Sequence, residues 1–160
     1  MSWDVAVFGD LKFPAGKLAM WRGLNADAAT FHDWKGHFER RAPGSTVSEI
    51  LEGVEALAEE GLVAVEGGAN QWKIRAMLPK DPFLDWGLPI AAAFRVAAEA
   101  GGEGEICFIG YETILLGYRV TVKAGSSTFE QLDTEGIHAA EKSRGFREVD
   151  ALVKEALGGE

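Results

Sequence analysis

The chain has 160 residues, a length typical of one domain with a single core, so we expect residues 1–160 to form one globular domain. Hydrophobic residues make up 47% and charged residues 26% of the chain, which excludes a disordered or fibrous protein. The net charge of −9 repels nucleic-acid phosphates and anionic lipid headgroups, so neither nucleic acid nor a membrane surface is an expected partner.

Cysteine usage and the apolar segments predict the compartment. The one cysteine, Cys107, has no intramolecular partner, and chains without disulfides are typical of a reducing cytosol. The start of the chain lacks a basic region followed by an apolar run, so no secretion signal is expected. Residues 83–100 form the longest apolar stretch, but charged residues, Gly and Pro interrupt it, and it is too short to span a bilayer. We therefore expect a cytoplasmic protein.

Hydrophobic periodicity and turn residues predict the secondary structure. The predicted elements are strand 3–9, two short helices within 14–38, helix 46–60, a hairpin of strands 62–66 and 71–78, helix 89–100, strands 105–110 and 115–124, a short helix that Thr134 caps, and a C-terminal helix from Phe146. Strands joined by short glycine turns, with helices between them, predict an α+β domain: a mainly antiparallel sheet with helices packed on one face. Helix 89–100 is apolar on nearly all sides and is expected to pack against that sheet.

Local signals place the ends of several elements. Thr46 and Glu49 match a capping box at the start of helix 46–60, and Gly61 suits its C-terminal end. Pro89 fits the first turn of the next long helix. The sequence Gly-Ser-Ser at 125–127 predicts a loop.

Residues able to carry catalysis or bind a metal are few. His32 and His37 are five positions apart, so on one helix they point about 140° apart and cannot share a metal ion. Cys107, His138 and Asp150 have the residue types of a nucleophile, a base and an orienting acid. Because Cys107 lies in an apolar strand, however, we expect it to be buried and inert. We predict no catalytic, metal or cofactor site; an enzyme that uses a carboxylate or Cys107 remains an alternative.

Acidic residues are concentrated in one segment. Residues 42–72 contain six Glu and no Lys or Arg (−6), whereas residues 1–41 carry +1 and residues 73–160 carry −4, which together give −9. Five of the six lie on the polar side of helix 46–60, where like charges are mildly destabilising. A solvated face that aids solubility and a docking surface for a basic partner both fit this pattern. The six residues are Glu49, Glu52, Glu55, Glu59, Glu60 and Glu66.

A second pattern is basic. Lys73, Arg75, Arg119 and Lys123 alternate with apolar residues on two predicted strands, so we expect them to project from the solvent side. If those strands are neighbours, the sheet face would bind an anion or a small molecule in a pocket bounded by Arg75 and Arg119. Protection of the sheet against edge-to-edge aggregation is the alternative.

The overall plan resembles the small acidic immunity proteins of bacterial polymorphic toxin systems. The resemblance rests on the six glutamates and on Trp86, a large apolar side chain between two prolines that is suited to anchor a partner. Proteins of this kind bind and occlude a toxin that is often basic. The resemblance therefore implies that the chain is not an enzyme and that it neutralises a basic partner protein, such as a toxin domain, with the glutamates and Trp86 in contact with that partner.

Overall fold

The computed structural model of the protein describes residues 4–27, 31–34, 45–57, 62–79, 83–110 and 116–158. The strands are β1 Asp4–Lys12, β2 Asn25–Ala26, β3 Ser45–Thr46, β4 Val63–Gly67, β5 Gln71–Pro79, β6 Glu103–Gly110, β7 Leu116–Lys123 and β8 Ser126–Gln131. The α-helices are α1 Lys17–Arg22, α2 Val47–Ala56, α3 Phe83–Val96, α4 Thr134–Glu141 and α5 Arg144–Gly158. Single 3-10 turns cover His32–Trp34 and Ala97–Ala100.

Six strands form one sheet in the order β4-β5-β1-β6-β7-β8, and every neighbouring pair is antiparallel. The predicted α+β class is therefore confirmed, as is the prediction that strands 3–9, 71–78, 105–110 and 115–124 share a sheet. The first four strands of this sheet in the chain, β1, β4, β5 and β6, follow the β-α-β-β-α-β order of a split βαβ unit, with β5 between β4 and β1. The β7–β8 hairpin widens this unit.

Side chains alternate between the two faces of the sheet. On β1, Val5 and Val7 join a core covered by α1, α2 and α3, whereas Ala6 and Phe8 join a second apolar cluster on the opposite face. The core contains fully buried Trp21, Trp72 and Phe94 in mutual edge-to-face contact.

The expected helix layer on one face is present, and α4 and α5 add a second layer on part of the other face. α5 carries a strong apolar stripe, and Phe146, Val149 and Val153 of that stripe pack with Ala6 and Phe8 of β1. The sequence pattern indicated an amphipathic C-terminal helix but not the face on which it packs.

Two elements differ from the sequence prediction. α3 begins at Phe83, so Pro89 lies inside the helix rather than in its first turn, because burial of the turns around it outweighs the hydrogen bond that proline cannot donate. Of the expected loop at 125–127, Gly125 lies in a turn as predicted, but Ser126 and Ser127 begin the edge strand β8. Gly125 adopts a left-handed φ of 83° in the tight turn before it, and the polar run that follows has only Phe129 buried, which hid the strand.

The other predicted elements agree with the structure only in part. Thr46 and Glu49 form the capping box of α2, while Gly61 lies outside the described residues. In segment 14–38, α1 is one of the two expected short helices, and a 3-10 turn at His32–Trp34 lies where the second was expected; residues 28–30 and 35–38 lie outside the described part. Thr134 is the first residue of α4, and Asp133 caps that helix instead.

Two glycines allow α4 and α5 to approach the sheet closely. A Cβ atom on Gly117 of β7 would lie 2.7 Å from Cγ1 of Ile137 in α4, and one on Gly145 of α5 would lie 2.7 Å from Cδ2 of Phe8 in β1. With a larger residue at either glycine, the helix that packs against it could not lie this close to the sheet. The two helices fix one wall of a cavity over the remaining, polar part of this sheet face.

Candidate functional site

The predicted acidic surface lies on α2 and β4. Glu49 and Glu52 are exposed on α2, Glu55 is half-buried on the same helix, and Glu66 is exposed on β4, the edge strand against which α2 packs. Glu59 and Glu60 lie outside the described residues. We call Glu49, Glu52, Glu55 and Glu66 the acidic surface.

Each member of this surface has a different electrostatic environment. Glu49 accepts hydrogen bonds from the backbone N–H and hydroxyl of Thr46, and these bonds lower the pKa of its carboxyl. Glu55 pairs with Arg22 of α1 at 3.5 Å, and Glu66 pairs with Lys73 of β5 at 3.3 Å. The sequence pattern indicated neither pair, because both cations lie outside the segment that is free of basic residues.

Trp86, the predicted anchor, belongs to α3, and its side chain lies outside the part of the chain that the structure describes. Its contact with a partner therefore stays a prediction.

The predicted open basic face is wrong for Arg75, which is 7% exposed beneath α5. Its guanidinium donates to the carbonyls of Gly9 and Ile74, to the Asp10 carboxylate and to Glu148 of α5. Because α5 covers this face, Arg75 is a buried ion-pair partner instead of a solvent-facing cation. It anchors α5 to the sheet through Glu148.

The other three predicted cations remain accessible. Lys73 is half-buried and lies between the carboxylates of Glu66 and Glu148, at 3.3 and 3.5 Å. Arg119 pairs with Glu130 across the β7–β8 hairpin, and Lys123 is exposed on β7. Burial acts to lower the pKa of Arg119, but the Glu130 and Glu105 carboxylates outweigh it and raise that pKa. The face is therefore of mixed charge rather than basic.

A cavity of about 900 Å³ opens on this mixed face, between the sheet and the α4–α5 junction. Its cationic lining residues are Lys12, Lys73, Arg75, Arg119 and Arg144. Its carboxylates are Asp10, Glu66 and Glu105. A cavity lined by Arg75 and Arg119 is thus present, but the two strands are not neighbours as the predicted basic face required, because β1 and β6 lie between β5 and β7. Arg75 is also already saturated by protein groups.

Cys107 lines the same cavity and is 3% exposed, which confirms that it is buried. Burial, followed by the negative charge of Glu105, raises the pKa of the thiol to about 12, and Sγ lies 3.8 Å from Oε2 of Glu105. At neutral pH the thiol is therefore protonated, which opposes a nucleophilic role. Its inertness toward reagents stays a prediction.

The structure does not assemble the residue types of a catalytic triad. Cys107 contacts Glu105, Asp150 pairs with Lys154 on the outer side of α5, and His138 is exposed on α4. Within the described ranges, no group of three His, Cys, Asp or Glu side chains is placed to hold a metal ion. No helix among the same residues has the length and apolar composition needed to cross a membrane.

Comparison of the chain with protein-family models, with curated proteins and with solved structures finds no match.

Proposed function

We propose that the protein binds a basic partner protein through the acidic surface and neutralises it by occlusion, the function that the resemblance to immunity proteins implies. The observation that carries the proposal is the exposure of carboxylates on two adjacent elements, α2 and the edge strand β4. The segment that contains both has no Lys or Arg.

The intramolecular ion pairs leave this surface negative. Of its four carboxylates, Glu55 and Glu66 each have one cation nearby, while Glu49 forms no ion pair with a described residue and the hydrogen bonds from Thr46 lower its carboxyl pKa. The Lys73–Glu66 and Arg22–Glu55 pairs are partly solvated, and such pairs contribute about 1 kcal/mol or less. A partner's Lys or Arg side chains can therefore displace them at little cost.

A charge-reversal pair of variants tests the proposal. The first variant carries Glu52→Lys, Glu55→Lys and Glu66→Lys, and it keeps Glu49 because that residue caps α2. The matched control carries Glu99→Lys, Glu135→Lys and Glu155→Lys, three exposed carboxylates on other elements. Both variants change the net charge by +6, so they differ only in where the charge is reversed.

The two variants and the original protein are immobilised and exposed to an extract of the cells that produce the protein. We expect a basic protein to be retained in stoichiometric amounts by the original and the control and lost from the first variant, and the activity of that protein to be inhibited in the complex. Equal retention by both variants, equal loss from both, or a complex that leaves the partner fully active would contradict the proposal.

A further inference from the structure

The sheet-face cavity has a floor of paired polar residues whose positions follow from strand register. Asp10 of β1 lies directly opposite Lys73 of β5 and Glu105 of β6, and Lys12 lies opposite Gln71 and Glu103. The wall is the α4–α5 junction, which Gly117 and Gly145 hold close to the sheet. The cavity is therefore formed before any ligand binds, as small-molecule sites usually are.

Several charges of the cavity are already used by the protein. Arg75 is saturated by two carbonyls and two carboxylates, and Lys73 lies between Glu66 and Glu148. Arg119 is engaged by Glu130. These groups shape the cavity, but they have little capacity left for a ligand.

Charges of both signs remain available. Lys12 is exposed and forms no ion pair within the described part of the chain, and Arg144 is 82% exposed, with only a 3.5 Å contact to Glu148. Glu105 also forms no ion pair with a described residue, although Arg119 interacts with it electrostatically. It lies opposite Asp10, which pairs with Arg75 at 3.1 Å but keeps 55% of its side chain exposed.

We propose that this cavity binds a small zwitterion, such as a short peptide with free termini, as a site separate from the basic-partner function. Its ammonium group would lie against Glu105 and Asp10, and its carboxylate against Lys12 and Arg144. A simple anion would face the two floor carboxylates, and a simple cation would face Lys12 and Arg144. Only a ligand with both charges matches both sets of available groups.

Triglycine and its blocked forms test the proposal through amide chemical shifts of the 15N-labelled protein. We expect triglycine at millimolar concentration to shift the amides of residues 8–12 and 103–107. N-acetyl-triglycine and triglycine amide each lack one terminal charge, so each should bind at least about tenfold more weakly, since a charge-assisted hydrogen bond is lost. Absence of shifts with triglycine, shifts elsewhere in the protein, or equal binding of either blocked peptide would overturn the proposal.

Three variants locate the site. Glu105→Gln and Lys12→Gln should each weaken triglycine binding about tenfold, whereas Lys123→Gln, an exposed cation of β7 outside the cavity lining, should leave it unchanged. The amide spectrum of each free variant reports whether it is folded. Unchanged binding in the two folded cavity variants, or an equal loss in the Lys123 variant, would contradict the assignment.

Discussion

At the scale of single residues, Arg95 shows how this fold accommodates a buried cation. Arg95 is 5% exposed, and its guanidinium pairs with both carboxylate oxygens of Asp33 at 2.6 and 3.0 Å. It lies 4.2 Å from the Phe31 ring centroid and 5.1 Å from that of Trp34, and it donates to Ser127 of β8. Arg95 therefore attaches the 3-10 turn to the edge strand of the sheet.

Replacement of Asp33 tests how much this contact contributes to the free energy of unfolding. That contribution depends on pH because the Asp33 carboxyl titrates. Partial burial acts to raise the pKa of Asp33, but the hydrogen bonds and charge of Arg95 outweigh it, so the folded pKa lies below the ordinary value of 3.8. The stabilisation is therefore complete above the unfolded pKa and is lost as pH falls through the folded pKa. Asp33→Asn should lower the free energy of unfolding by about 2 kcal/mol at pH 7, since the 46% exposure of Asp33 moderates the loss.

Urea denaturation of both proteins across the acid range checks this prediction. The difference between the two proteins should be constant at neutral pH and shrink below about pH 4. Asp150→Asn, which removes a solvated i,i+4 pair with Lys154, is the control and should cost less than about 0.5 kcal/mol. A difference that grows on acidification would contradict the account.

Residue-scale contacts also show which parts of the sequence pattern were informative. The capping box of Thr46 and Glu49 was predictable because its members are three positions apart. The pairs Arg95–Asp33 and Arg75–Asp10 join positions 62 and 65 apart, and no local pattern encodes such a distance. Arg75 was expected to face solvent because alternation along a strand predicts the face of the sheet on which a side chain lies. It does not predict whether a helix covers that face.

At the scale of elements, the docking of α4 and α5 depends on the two close approaches at glycine. Amphipathic patterns predicted α2 and α5, because apolar periodicity reports directly on a buried face, whereas α3 was predicted from a segment that is apolar on nearly all sides. β8 was missed because its polar residues carry no strand periodicity, and only its pairing with β7 makes it a strand. The cavity depends on the docking of α4 and α5, so its shape was not predictable from the sequence, although Arg75 and Arg119 were expected to line a pocket.

Two Gly→Ala variants, both at helical positions, test the docking of α5. In Gly145→Ala the new Cβ would meet the Phe8 side chain at 2.7 Å, so α5 must shift, and we expect a loss of about 1–3 kcal/mol in the free energy of unfolding. In Gly53→Ala of α2 the new Cβ would meet no atom within 4 Å, and we expect a gain of about 0.5–1 kcal/mol.

Chemical denaturation of the two variants and the original protein gives both values. Changes of the same sign and size in the free energy of unfolding would show that helix propensity alone determines both. They would contradict the close packing of α5 against Phe8.

At the scale of the whole molecule, α2 and the cavity lie on opposite faces of the sheet. Glu49, Glu52 and Glu55 of the acidic surface lie on α2 at one face, and the cavity lies beside α4 and α5 on the other. Glu66 of the edge strand β4 lies on the cavity side, where it pairs with Lys73, so the acidic surface extends around the edge of the sheet. The net charge of −9 extends the acidic field beyond the surface itself and favours encounter with a basic protein. The negative charge could be predicted from the sequence. That Arg22 and Lys73 partly compensate it could be seen only in the structure.

Binding of a basic partner through the acidic surface is tested most directly by the rate at which the protein associates with its captured partner, measured by stopped flow at low and high salt. We expect a fast rate at low salt that falls as salt rises, because screening weakens attraction between opposite charges. In the variant with Glu52→Lys, Glu55→Lys and Glu66→Lys, the low-salt rate should fall at least about tenfold and lose its salt dependence, while the control with Glu99→Lys, Glu135→Lys and Glu155→Lys keeps most of both. An association rate that is indifferent to salt and equal in the two variants would contradict the claim.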